Sequence, residues 1–264
     1  MIRVTVPVAL TAQFFGTFRV SVDGVPVDTG SSRPARNVLA YLLAHRRAPV
    51  PRDVLMDVFW PAAGPDAARN SLHVALSRIR QAVRAASPAA VIERCFDTYR
   101  IAGPVTVWTD VEHFEQACAA GRRADRAGDA VTAIRSYETA CQLYQGDFLA
   151  EEPYAAWAAA PRDALRLQAV DVQSRLVELY IDGGGYGPAA LLGRRILAID
   201  PCNEAVHRRL MVCYAAAGMR HLALAQYDRL TATLWEAFRV RPAAETVDVY
   251  ERLRRQCHPQ RRSA

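Results

Sequence analysis

From Thr17 onward, hydrophobic and polar positions alternate in the stretch Phe14–Val22, with Phe18, Val20 and Val22 on one side and Arg19 and Ser21 on the other. Alternation of this kind marks a half-buried strand. Asp23-Gly24 follows, a strong hairpin signal, and Val25-Pro26-Val27 supplies the return, so the chain is expected to open with a small antiparallel sheet. The pattern then changes to a helical period. Val38, Leu39, Leu42 and Leu43 form one stripe over Pro34–Arg46, and Val54, Leu55, Val58 and Phe59 form another after Pro51. A third helix is expected from Asp66, with that residue as its N-cap. There Leu72, Leu76, Ile79 and Val83 fall within one narrow arc and should face the core, while Asn70, His73, Val74, Ser77 and Gln81 occupy the opposite arc. Val91–Arg94 and Tyr99–Ile101 read as two short strands around Cys95–Thr98, a hairpin placed directly after the helix like a wing.

Beyond Val107 no strand alternation is evident, and helices are expected to the end of the chain, the first of them capped by Thr109-Asp110. Gly128, Gly184 and Gly218 are each followed five residues later by Ala133, Ala189 and Ala223. The second and third units align at a shift of 34 residues: Leu176 with Leu210, Tyr180 with Tyr214, Ile196 with Leu230. A turn glycine, a small alanine where two helices meet and this period are the signature of tetratricopeptide helix pairs. Gly183-Gly184-Gly185 has neither the preceding strand nor the lysine of a nucleotide loop, and reads as a turn between helices. Tyr137, Tyr144, Tyr154, Trp157, Tyr180, Tyr214, Tyr227 and Trp235 suggest a ligand groove on a stacked-repeat surface, but packing between repeats accounts for most of them.

Charge sharpens this division. Residues 1–103 hold 13 Arg against 7 Asp and Glu, a net +6, whereas residues 104–264 hold 20 Arg against 20 acids. The excess therefore lies in the N-terminal segment, where a polyanionic partner would bind. No acid lies between Asp66 and Glu93, and Arg69, Arg78, Arg80 and Arg84 flank the wet arc of the third helix. A helix with that face suits the DNA major groove, because Arg, Asn, Ser and His can reach base edges and phosphates. Arg94 and Arg100 in the hairpin would meet sugar-phosphate or a minor groove. Lysine is absent from the chain, and with the many alanines this fits a GC-rich coding sequence.

The six cysteines form no C-x-x-C pair and no zinc-ligand spacing, and read as reduced, mostly buried thiols of a cytoplasmic protein. No apolar run approaches membrane-spanning length, and Met1–Leu10 reads as a first strand or loose tail rather than an export signal. The six histidines are scattered and no nucleophile–base or paired-carboxylate pattern emerges, so neither a catalytic site nor a metal or cofactor site is expected.

Residues 14–101 resemble the OmpR-type winged helix in the version found in Streptomyces antibiotic regulatory proteins, the SARP-type activators. The resemblance rests on Phe15-Gly16, Val22-Asp23-Gly24, Arg52-Asp53-Val54-Leu55, Phe59-Trp60-Pro61, Ala68-Arg69-Asn70-Ser71-Leu72, Leu76-Ser77-Arg78-Ile79-Arg80 and Tyr99-Arg100-Ile101. Departures are Ala75 where many relatives carry His, Thr98 where the wing usually has Gly, and Pro51 where the second helix usually has a Ser or Thr cap. Leu143–Leu149, Tyr154–Trp157 and Pro242–Thr246 resemble the bacterial transcriptional activator domain that follows this winged helix. The expected fold is an α+β winged helix-turn-helix domain over residues 1–103 and an all-α tetratricopeptide-like repeat domain over residues 104–264.

The resemblance implies a cytoplasmic activator of a secondary-metabolite or other pathway-specific gene cluster. It would bind double-stranded promoter DNA at direct repeats, two copies side by side, and recruit the RNA polymerase holoenzyme, with Trp60–Asp66 as a polymerase contact. The DNA-binding residues would be Arg69, Asn70, His73, Ser77, Arg78, Arg80 and Arg84 of the third helix with Arg94 and Arg100 of the wing. The competing reading is a repeat scaffold for protein partners in which DNA binding is weak or secondary, supported by the departures at Ala75 and Thr98.

Overall fold

The computed structural model describes residues 8–30 and 32–257. They divide into two compact units, one built from residues 1–115 with 143–165 and the other from 116–142 with 166–264. Neither unit follows a cut at residue 103, because Val105–Thr109 and the segment from Leu143 to Leu165 belong to the first unit. The residues before Val8, expected as a strand or tail, lie outside the described region.

The first unit begins with β1 (Val8–Gln13), β2 (Arg19–Val22) and β3 (Val25–Pro26). The antiparallel hairpin forms as expected: Asp23 and Gly24 both have positive φ, 51° and 81°, the backbone of a type I′ turn. Two features differ from expectation. The first strand lies upstream of Phe14, and Phe14–Phe18 is a connector whose aromatic rings enter the core. The sheet is also mixed, because β7 (Val105–Thr109) pairs in parallel with β1, giving the order β3-β2-β1-β7. A parallel partner nearly a hundred residues away leaves no local signature, which is why the helical half appeared to begin without a strand.

The helices of this unit are α1 (Arg33–Ala44), α2 (Arg52–Phe59) and α3 (Pro65–Ala86). A second sheet holds β4 (Val50–Pro51), β6 (Thr98–Ile101) and β5 (Ile92–Cys95), in that order. The core stripes of α1 and α3 are as the periodicity indicates, with Val38, Leu39, Leu42, Leu43, Leu72, Leu76, Ile79 and Val83 all buried. Asp66 is not the cap of α3. The helix starts one residue earlier, behind Gly64, and Asp66 sits in its first turn, where a negative charge is favoured by the helix dipole.

Segment 143–165 completes the aromatic core. Phe148 stacks on Phe14 at 5.2 Å, Tyr144 lies 4.9 Å from Phe15, and Trp157 meets the edge of Tyr41 at 5.0 Å. Tyr144 and Trp157 therefore pack in the first unit and are not repeat residues, while Tyr154 is exposed. The buried Asp110 carboxylate accepts hydrogen bonds from the Phe14, Phe15 and Val111 backbone N–H groups, each at 2.9 Å. Burial pushes its carboxyl above the usual range, and these N–H groups pull it back. Thr109, not Asp110, caps the following helix, its Oγ1 accepting from Glu112 N at 3.2 Å. Glu152 accepts from Arg33, which holds it below the ordinary carboxylate range.

The remaining helices are α4 (Asp110–Arg126), α5 (Ala130–Leu143), α6 (Ala156–Asp182), α7 (Tyr186–Ile199), α8 (Glu204–Ala216), α9 (Arg220–Phe238) and α10 (Ala244–Cys257). The tetratricopeptide-like character of the second unit is clearest at its turns. Gly128, Gly184 and Gly218 have φ of 75°, 75° and 77°. In each turn the next residue donates back to the carbonyl five positions earlier: Asp129 to Ala124, Gly185 to Tyr180, Met219 to Tyr214. This is one helix-ending motif used three times, and it needs the left-handed backbone that glycine adopts without strain. The matching Ala133, Ala189 and Ala223 are essentially fully buried. Of the aromatic residues considered for a groove, Tyr137 and Tyr214 are buried, Tyr180 and Tyr227 are half-buried, and Trp235 is about half exposed.

Cysteine burial is less general than expected. Cys118 and Cys213 are buried, Cys141 and Cys202 half-buried, and Cys95 exposed. Burial pushes the Cys141 thiol up to about 12 and that of Cys213 up to about 11, so both stay protonated at neutral pH. His207 is buried and neutral. Its Nε2–H donates to the Pro201 carbonyl at 3.0 Å and Nδ1 accepts from the Gln226 amide at 2.8 Å. Burial lowers its pKa, so the unfolded chain binds a proton more readily than the folded one. The stability of the second unit should therefore be undiminished above the unfolded histidine value of about 6.5 and should fall as pH drops through the lower folded value. Thermal melts between neutral and mildly acidic pH check this, with a flatter profile expected for His207→Gln.

Candidate nucleic-acid interface

The expected site residues fall into two groups. On α3, the side chains of Arg69, Asn70, His73, Ser77, Arg78 and Arg84 are exposed and Arg80 is half-buried. The wet face is continuous because the apolar positions recur at helical spacing on the other side, where Ala68, Ala75 and Ala82 join the core. Arg69 pairs with Asp66 at 3.2 Å. Among the described residues, no hydrogen-bond or ion-pair partner holds Asn70, His73, Ser77, Arg78, Arg80 or Arg84. Three guanidinium groups on a helix face that carries no acid beyond Asp66 thus hold uncompensated charge, which favours a polyanion. Val74, also exposed, adds an apolar contact suited to a thymine methyl. On one flank the helix borders an open groove of about 510 Å³ lined by Ser32, Trp60, Asn70, Val74 and Arg78 among others.

Ala75 is buried, so the departure at that position removes nothing from the exposed face.

The wing arginines differ. Arg100 donates through Nε and Nη2 to Glu93 across the hairpin, each at 3.1 Å. Arg94 donates from Nε to the Phe96 carbonyl at 2.9 Å and lies 3.6 Å from Asp97. Either must exchange a protein partner to meet a phosphate. The sequence shows which residues are basic but not which are already paired.

The wing turn is tighter than the four-residue loop expected. Cys95 pairs with Thr98, leaving a two-residue turn of Phe96 and Asp97. Thr98, which stands where glycine is usual, donates from Oγ1 to the Cys95 carbonyl at 2.8 Å and closes the turn itself. The same turn replaces the cap that Pro51 cannot give α2. Arg52 N donates to the Asp97 carbonyl at 2.7 Å, and its Nη1 donates to the Asp97 carboxylate at 3.0 Å. Two of the departures from the family pattern, Pro51 and Thr98, are thereby resolved within one cluster. Arg52 and Asp97 carry this clamp, and no local pattern links two residues 45 positions apart.

Among the described residues, no group of three or more His, Cys, Asp or Glu side chains is placed to hold a metal ion. No helix among them is long and apolar enough to cross a membrane.

Residues 109–254 match the family model "bacterial transcriptional activator domain". The chain is similar to the transcriptional regulatory protein MoaR1 of Mycobacterium tuberculosis, with 26% identity over 261 residues, covering 97% of this chain and 83% of that protein. It is equally similar to the transcriptional regulatory protein EmbR of the same organism, with 26% identity over 262 residues covering 96% of this chain but 65% of EmbR. The solved structure of Mycobacterium tuberculosis EmbR in complex with a low affinity phosphopeptide superimposes with a TM-score of 0.76 at 25% identity, over 94% of this chain and 66% of that one.

Proposed function

We propose that this chain, which belongs to the bacterial transcriptional activator domain family and is a SARP-type transcriptional regulator, binds promoter DNA with α3 in the major groove and the β5–β6 wing beside it. One observation carries the reading: Arg78, Arg80 and Arg84 stand without carboxylate partners on a helix face that also presents Asn70, His73 and Ser77. Uncompensated guanidinium groups supply affinity by displacing counterions from phosphate, and the polar chains between them read base edges. Arg69, Arg94 and Arg100 join once they exchange Asp66, Phe96 O or Asp97, and Glu93 for DNA. Two copies on direct repeats would set their helices about one turn of DNA apart. The exposed loop after Trp60 would meet RNA polymerase in the cytoplasm, and a pathway-specific gene cluster would be the target.

Arg78→Ala tests the assignment. If Arg78 reads a guanine, binding to a footprinted promoter should weaken by about 1–3 kcal/mol and discrimination at one base should relax. If it touches phosphate alone, all duplexes should weaken alike and the salt slope should drop by about one. Unchanged promoter affinity in a gel-shift titration removes Arg78 from the interface. A wild-type chain whose DNA affinity hardly responds to salt argues instead for a repeat scaffold.

A further inference from the structure

The most exposed aromatic ring of the first unit outside the Tyr154 loop is Phe96, 92% accessible at the tip of the wing. We propose that Phe96 is a wedge that enters the DNA minor groove and opens a base step there. The inference rests on the DNA-binding reading of α3.

The position is costly twice over. Phe96 has φ of 53°, a left-handed conformation that bulky residues rarely adopt, and its ring is left in water. The other two-residue hairpin of this unit also opens on a residue with positive φ, and there it uses Asp23 followed by Gly24, residue types that tolerate that backbone. Asn or Gly at position 96 would relieve both costs, so stability does not account for phenylalanine there. A strained residue held by its surroundings is a reason to look for a function.

The surroundings hold it firmly. Asp97 is clamped twice by Arg52, and Thr98 Oγ1 ties the turn to Cys95. An inserting side chain needs such a mount, because a floppy tip would fold aside rather than push stacked bases apart.

DNA is the partner that the setting favours. Strand β5, which carries the tip, begins at Ile92, and Ile92 lines one small cleft together with Arg80 and Arg84 of the unpaired basic face. The base of the wing thus borders the surface assigned to DNA. The wing adds little charge of its own, because Arg94 and Arg100 are offset by Asp97 and Glu93. Most of the phosphate attraction therefore belongs to α3, and what the wing tip can add is an apolar ring. Apolar wedges act at flexible pyrimidine–purine steps, where unstacking is cheapest, and kink the duplex.

The test uses the full chain and a 60-base-pair duplex selected from a random pool by the wild-type protein, with donor and acceptor dyes at its ends. The wild type should raise energy transfer by bending the duplex. Phe96→Asn should lose most of that rise and bind on the order of tenfold more weakly, and Phe96→Leu should keep much of both, since an aliphatic wedge also works. The Phe96→Asn melt should match or exceed that of the wild type, because Asn tolerates the left-handed backbone. Equal bending and affinity for the wild type and Phe96→Asn would overturn the proposal. So would a Phe96→Asn chain that bends DNA normally yet fails to activate transcription, which assigns the ring to a protein partner. If Arg78→Ala weakens binding while Phe96→Asn changes nothing, the wedge alone falls. If the wild type selects no duplex, the DNA-binding reading falls with it.

Discussion

A fragment ending at residue 103 is expected not to fold as a stable unit, although it contains every helix of the winged helix. It would lack β7, which pairs with β1 over Val8–Ala12, and Asp110, whose carboxylate receives the Phe14 and Phe15 N–H groups. It would also lack Tyr144, Phe148 and Trp157, uncovering Phe14, Phe15 and one side of Tyr41. Two or three large side chains returned to water cost about 1.5–3 kcal/mol each. The lost backbone and carboxylate hydrogen bonds add about 0.5–1.5 kcal/mol each. Together these approach the whole stability of an ordinary domain, about 5–15 kcal/mol. The Arg33–Glu152 pair adds little, because Arg33 is two-thirds in water although Glu152 is buried. Circular dichroism of the fragment should show no cooperative melt, whereas full-length Phe148→Ala should melt cooperatively but about 3–5 kcal/mol less stable. A cooperative melt of the fragment near that of the first unit in the full chain would show that residues 1–103 suffice.

The features legible in the sequence are those whose physical cause is local. The core stripe of α3 follows from the 3.6-residue period of Leu72, Leu76, Ile79 and Val83, and the repeat turns follow from glycines that need positive φ. The Asp23-Gly24 hairpin is of the same kind. Features whose partners are distant were not legible. Val105–Thr109 reads as a strand only when β1 is beside it, and Phe148 reads as core of the first unit only when Phe14 is beneath it. The candidate interface divides in the same way. That α3 has a wet basic face is a statement about periodicity, and the structure agrees. That Arg94 and Arg100 are already engaged, or that the wing turn caps α2 in place of Pro51, depends on pairings across a sheet. Phe96 shows the remaining limit: the sequence places it in the hairpin loop Cys95–Thr98, but its left-handed backbone and the extent of its exposure are properties of the folded turn.

Arg162→Met is expected to destabilise the first unit by about 3–4 kcal/mol, a large effect for a residue distant from the proposed interface. The guanidinium is buried and donates to four carbonyls of one loop: Phe148 at 2.8 Å, Pro153 at 3.1 Å, Leu149 at 3.3 Å and Glu152 at 2.8 Å. Leu149 has a φ of 50°, so the loop is strained as well as polar, and one planar fork satisfies it. Methionine fills much of the space but donates nothing: the Phe148 and Pro153 carbonyls lose their guanidinium donor outright, while those of Leu149 and Glu152 keep the Glu152 and Ala155 N–H groups. Arg162→Lys should lie between the two, because an ammonium cannot reach four acceptors spread around a planar group. Urea unfolding followed by tryptophan fluorescence reports on this unit, since Trp60, Trp108 and Trp157 lie in it and Trp235 does not. The loop also carries Phe148, so Arg162→Met and Phe148→Ala should cost less together than the sum of their separate effects, by at least about 0.5 kcal/mol. Strict additivity would mean that the guanidinium and the aromatic stack secure the loop independently, and that Arg162 does not position Phe148 over Phe14.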